Sequence, residues 1–330
     1  MDQKKDIALM SFEPILKSVI WGGNKIAPFK GITTDQKNIG ESWEVSGVPG
    51  HESVVANGPD KGKNLGELVK EYKADLVGKK VYETYGDTFP LLIKIIDAAG
   101  DLSVQVHPDD ELAKKRHNSL GKTEMWYIVD TDPGAVICAG LSEQITPDDY
   151  VKLVAENKLM DVIAHHQSKP GDVFFLPAGR VHSIGAGNML VEVQETSDIT
   201  YRIYDFGRLD KDGKPRELHV DLAKDAIDYT VYPDYRTQPT ERPDGISLLV
   251  ECSHFDVAKV DIKDFKKLYF NPLDSFFTTT CIEGSFKVTD DRGHSLELKR
   301  GQTILVPAMA SSLTYEGTGS VVNAFIVTKK

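Results

Sequence analysis

Cysteine is scarce in this chain. Three residues, Cys138, Cys252 and Cys281, are odd in number and far apart, which excludes a disulfide framework and a cysteine-based zinc site. They suit a reducing compartment, and a cytoplasmic location is expected. Long hydrophobic runs are absent as well. The longest, Phe89 to Ile96, is interrupted by Lys94 and falls well short of the roughly 20 residues that cross a bilayer as a helix. Met1 to Ile7 lacks the apolar segment of a secretory signal. Basic charge is in deficit: 39 Lys and Arg against 50 Asp and Glu give a net charge of −11. That balance argues against nucleic acid, so an anionic substrate must be held by a local basic pocket and not by the overall field.

What the chain does have is length and many short β-type runs. Its 330 residues, 40% hydrophobic and 27% charged, suffice for two modest domains or two similar modules. Apolar stretches at 89–96, 102–107, 125–129, 173–176, 189–193, 276–281, 285–289 and 303–306 are punctuated by Gly and Pro. They predict a mainly β, antiparallel fold. Helical signals are fewer. Asn64 opens one, with Leu65, Leu68, Val69, Tyr72 and Leu76 at helical spacing, and Thr146-Pro147 opens another towards Ala155. A third is expected from Pro215 towards Tyr229.

An internal repeat organises the whole. Lys169–Ala178 (KPGDVFFLPA) and Lys299–Ala308 (KRGQTILVPA) match in register, each reading as charge, Gly turn, short apolar strand and Pro-Ala turn. Five residues beyond the proline, the first copy has His182 and the second has Ser312. Two jelly-roll-like modules with a few short helices are implied. Residues 1–235 form the metal-binding one and 236–330 a degenerate one without metal ligands, separated by the Pro- and Thr-rich segment around Thr230–Pro243.

Gln105 and His107 stand two apart on a β-type run and so share a face. Lys122 and Glu124 are spaced the same way, and His182 follows the Pro-Ala-Gly turn, which fixes where its imidazole points. Gln105, His107, Glu124 and His182 together form a ligand set for one divalent metal. One carboxylate and three neutral groups leave such a cation a net positive charge and useful Lewis acidity. Imidazole and oxygen ligands favour zinc, with iron, manganese and cobalt as alternatives. His117, His165, His166, His219, His254 and His294 are assigned no role, with His165-His166 read as an exposed helix-end pair.

At this point the chain resembles the type I mannose-6-phosphate isomerases in their short bacterial form. The resemblance rests on LSVQVHPD (102–109), KTEMWY (122–127), PAGRVHSIG (177–185) and VQETSDITYRIY (193–204), with GESWEVS (40–46) and Arg216-Glu217-Leu218-His219. It implies a cupin fold, one zinc per chain on Gln105, His107, Glu124 and His182, and a sugar-phosphate substrate. It further implies aldose–ketose isomerisation through a cis-enediol, with polar active-site residues at Lys94, Lys122, Glu192, Asp198 and Arg202. Arg202, Glu192, Asp198 and Lys122 are the catalytic candidates, and Lys94 and Arg208 the candidates for holding substrate phosphate. Read by itself, Lys94 in an apolar strand either reaches an anion or titrates low, unless the strand is an edge strand and the lysine snorkels to solvent. Two rivals stand beside this reading: another cupin sugar-phosphate isomerase or oxygenase, and a non-catalytic sugar-binding cupin.

Overall fold

A computed structural model describes residues 6–209, 212–270 and 273–327. Strands dominate, as the alternating apolar runs require, and they form three antiparallel sheets. The first has seven strands in the order 236–237, 173–176, 124–131, 188–195, 91–97, 39–46 and 15–23. The second has five, in the order 201–204, 104–106, 182–184, 136–141 and 163–167. The third, of nine strands, is built from strands between Thr240 and Phe325 but takes in Met10–Ser11, which pairs with Ile304 and Leu305.

The first two sheets face each other. Trp126, Phe174, Leu190 and Ile96 from one interlock with Leu102, Ile137, Ala139 and Ile184 from the other. The outer side of the five-stranded sheet is also buried, because Val104, Val106 and Ile203 pack under the helices Pro147–Ala155 and Val220–Ala226. Leu102, just before strand Val104–Val106, belongs to the core between the sheets and not to the side of those two valines. The outer side of the seven-stranded sheet packs against the helix Leu65–Tyr72 and the third sheet, through Val69, Ile93, Val257 and Val322. Strand Leu91–Asp97 is therefore buried along its entire length, which explains why its sequence is apolar on both faces apart from Lys94 and the terminal Asp97.

The third sheet curls on itself. Its two longest strands, Phe277–Asp290 and Ser312–Phe325, run side by side and bend where Gly284 lies opposite Gly319. Gly284 has φ +78° and Gly319 φ +153°, and a Cβ on either would come within 2.0 Å of a backbone oxygen. The stretch read as two strands, 276–281 and 285–289, is thus one strand with a bulge between Cys281 and Glu283. The bend encloses a second apolar core that includes Val260, Phe277, Leu298 and Val321.

The helix opened by Asn64 carries a full capping box, Asn64 with Glu67, and stops at Lys73 (φ 51°) before Leu76. Thr146 and Asp149 cap Pro147–Ala155 in the same way. His165 and His166 are not at a helix end. They lie on strand Ile163–Gln167, where His166 contacts the carbonyl of Ala139 at 3.1 Å. The helix expected from Pro215 begins only at Val220, since Pro215 pairs in an isolated bridge with Leu209.

Candidate metal centre and active site

The site is built across the gap between the first two sheets. On the five-stranded sheet, Arg202 lies opposite Gln105, and Gln105 opposite His182. Residues directly opposed across antiparallel strands share a face, so these three side chains form one row. The seven-stranded sheet supplies Glu124, opposite Gln194. Two residues further along is a row of Trp126, Glu192, Lys94 and Trp43. His107 follows the end of strand Val104–Val106, just before Pro108 and the helix Asp110–His117.

These elements bring all four expected ligands together. His182 Nε2 is 3.1 Å from Glu124 Oε1, and His107 Nε2 is 3.4 Å from Glu124 Oε2. The side-chain amide of Gln105 is 3.3 Å from His182 Nε2. Each imidazole uses its other nitrogen on the backbone. His107 Nδ1 donates to the carbonyl of Ile199 and His182 Nδ1 to that of Arg180, both at 2.8 Å. A carbonyl only accepts, so Nδ1 carries the proton and the Nε2 lone pair faces Glu124.

Electrostatics points the same way. Burial depresses His107 well below its ordinary range and His182 to about 3, while it pushes Glu124 up to about 7 against the pull of Lys122. Both Glu124 oxygens are sealed from solvent and lack a well-formed hydrogen bond to any described residue. Two neutral nitrogen lone pairs aimed at an unsatisfied carboxylate are a poor resting arrangement for protein alone and a fitting one for a divalent cation. Donor atoms of His107, Glu124 and His182 all lie within 4.8 Å of one another.

Lys122 borders this centre, with its ammonium 3.3 Å from both Glu124 Oε2 and His107 Nε2. Lys94 and Glu192 make a buried ion pair at 2.8 Å, and Trp126 Nε1 donates to the other Glu192 oxygen at 2.8 Å. Burial works against the charge on both partners, yet their mutual attraction prevails: Lys94 is raised and Glu192 lowered. The expectation that Lys94 reaches an anion or titrates low resolves to the first.

Arg202 gives Nη1 to the carbonyl of Glu217 at 3.1 Å. Its Nε is buried with no hydrogen bond to a described residue. Arg208 is tied to Asp205 and the carbonyl of Asp101, and Arg216 grips the same Asp205 carboxylate at 2.5 and 2.7 Å. Asp198 is exposed, one residue before Ile199, whose carbonyl holds His107.

Three participants escaped the sequence reading. Trp126 was quoted within KTEMWY without a role, and Asp205 was not singled out. His254 was given none, yet its Nδ1 lies 3.0 Å from Glu195 Oε1, while Glu195 Oε2 accepts from the Thr123 amide at 2.8 Å. A residue from the turn between strands Ile246–Glu251 and Asp256–Ile262 therefore braces the segment Lys122-Thr123-Glu124. Nothing local in the sequence marks a contact across so many residues.

Known proteins resemble this chain along most of its length. Residues 9–134 match the family model of the type I phosphomannose isomerase catalytic domain, and residues 246–326 that of the mannose-6-phosphate isomerase cupin domain. A mannose-6-phosphate isomerase of Bacillus subtilis is 36% identical over 309 residues, 93% of this chain and 95% of that one. One of Streptococcus mutans is 33% identical over 300 residues, 90% of this chain and 92% of that one. The crystal structure of the mannose 6-phosphate isomerase from Bacillus subtilis superposes with a TM-score of 0.87 at 33% identity, covering 96% of this chain and 99% of the other. On this evidence of sequence and shape, the chain belongs to the type I phosphomannose isomerase family.

Proposed function

We propose that this protein interconverts mannose-6-phosphate and fructose-6-phosphate with one zinc ion per chain, through a cis-enediol. The observation that carries the reading is the pair of Nδ1-anchored imidazoles whose free Nε2 atoms converge on the unsatisfied Glu124 carboxylate. Gln105, His107, Glu124 and His182 would hold the metal. When bound, it would supply Lewis acidity towards the substrate oxygens as charge develops on them.

The remaining side chains divide the other work. Lys122, on the rim of the centre, is placed to carry the proton between C1 and C2. Arg202 shares a row with Gln105 and His182 and offers its unpartnered Nε–H to an oxygen that becomes anionic. Both Glu192 oxygens are engaged, so Glu192 and Lys94 serve to fix the floor of the pocket. The substrate phosphate falls to the arginines around Asp205, with Arg208 foremost. Asp198 sits outside the reacting centre. A cytoplasmic location is part of the same reading, and so are two modules, though the expected division at residue 235 moves past strand Arg236–Thr237, which still pairs in the first sheet; no described helix is long and apolar enough to cross a membrane.

The test is isomerisation in deuterium oxide after chelation and zinc add-back. Activity that returns with zinc and places solvent deuterium at C1 of fructose-6-phosphate supports the proposal. Full activity in chelated protein would contradict the metal, and turnover without any exchange at prolonged equilibrium would contradict the enediol.

A further inference from the structure

The C-terminal module has a cavity of about 600 Å³ at its own centre, and strand register shows where that centre lies. Leu176 and Val306 hold the same place in the repeated stretch. Leu176 pairs with Glu124, which pairs with Gln194; Val306 pairs with Phe277, which pairs with Phe325. Two residues along, Trp126, Glu192, Lys94 and Trp43 form one row, and Thr279, Asn323, Ala258 and Leu248 form its counterpart. Phe277 and Phe325 thus occupy the positions of Glu124 and Gln194, while Asn323 and Ala258 occupy those of the Glu192–Lys94 ion pair. Phe277, Phe325, Asn323, Ala258 and Leu248 all line the cavity.

We propose that this cavity is a second ligand site, for a neutral polyhydroxylated molecule of hexose size. Asn323 is 1% exposed, and neither its Nδ2 nor its Oδ1 has a hydrogen bond to a described residue. A buried amide left in that state is costly. Replacing Lys94 by the methyl of Ala258 has cleared the space beside it. The amide presents a donor and an acceptor side by side, and neighbouring hydroxyls, each both donor and acceptor, complement that pair. Phe277 stacks between Phe270 at 4.5 Å and Phe325 at 5.6 Å, giving an apolar wall for the carbon face of a ring. The charged lining is balanced, with Arg242, Lys266 and Lys267 against Asp244, Glu251 and Asp256. The site therefore has no net field to select a phosphate ester, unlike the arginine cluster of the first module.

Calorimetric titration of the metal-loaded enzyme with D-mannose tests this, run in saturating mannose-6-phosphate/fructose-6-phosphate equilibrium mixture to fill the catalytic pocket. Saturable binding of mannose is expected. Asn323→Leu should weaken it by at least about tenfold, the loss of one buried hydrogen-bonding group, and leave isomerase turnover unchanged. Should Asn323→Leu fail to fold, Leu248→Trp narrows the cavity from its wall and should give the same loss. The proposal is overturned if mannose shows no saturable binding, if the sugar phosphates displace it fully, or if both folded variants bind it like wild type.

Discussion

The two jelly rolls of this molecule share their strand pairing around the centre and differ in what they place there. The first fills the centre with Glu124, Gln194, Glu192 and Lys94, and the second has Phe277, Phe325, Asn323 and Ala258 at the same register positions. Outward-facing partners are apolar in both but for one threonine, with Met125, Val193 and Ile93 matched by Thr278, Ala324 and Val257. The fold thus depends on the apolar alternation of its strands, and the chemistry on a handful of inward positions. The second module still serves the first, because His254 braces Glu195 and, through it, the Thr123 amide.

The largest contrast should come from the repeat itself. His182→Ala should remove the metal and cut turnover by at least about 1,000-fold. Ser312→Ala, its counterpart, should leave turnover within about twofold, as expected of a distant independent site. Equal losses in steady-state assays would break the comparison.

Next in size is the buried ion pair. Lys94→Met strands the Glu192 carboxylate beside Trp126 and should cost about 3–5 kcal/mol in urea unfolding. The double variant Lys94→Ala/Glu192→Asn, which copies the second module, should recover most of that. If the double change is as damaging as the single one, the pair is not what holds this floor.

A smaller effect is expected where the modules meet. The hydrogen bond that His254 donates to the Glu195 carboxylate holds it above its ordinary range, against the effect of burial. A raised histidine stabilises fully below its unfolded value, near pH 6.5, and that contribution fades as pH rises through the folded value. His254→Ala should therefore cost about 1 kcal/mol at pH 6 and little at pH 9. A pH-independent loss in thermal melts would assign His254 to packing alone. Smallest of all, Asp198→Asn should change kcat/KM by no more than about threefold, as for an exposed residue clear of the chemistry; a loss of several hundredfold would return it to the reacting centre.

Much of this was legible in the sequence for identifiable reasons. Gln105 and His107 announce themselves by two-residue spacing before a proline, and His182 by the repeat that leaves Ser312 in its place. Capping boxes at Asn64 and Thr146 depend on residues three apart, so those helices could be read directly. Long-range facts could not. The pairing of Lys94 with Glu192, the clamp of Arg208 and Arg216 on Asp205, and the reach of His254 to Glu195 join residues that share no local pattern. His165 and His166 were misplaced because a short amphipathic strand after a helix looks like that helix's frayed end.

The most direct test of the contrast between the modules is metal content per chain, measured by mass spectrometry after zinc loading and desalting. The account predicts one zinc in wild type and in Ser312→Ala, and none in His182→Ala. Two zinc ions in wild type, or one retained by His182→Ala, would contradict it.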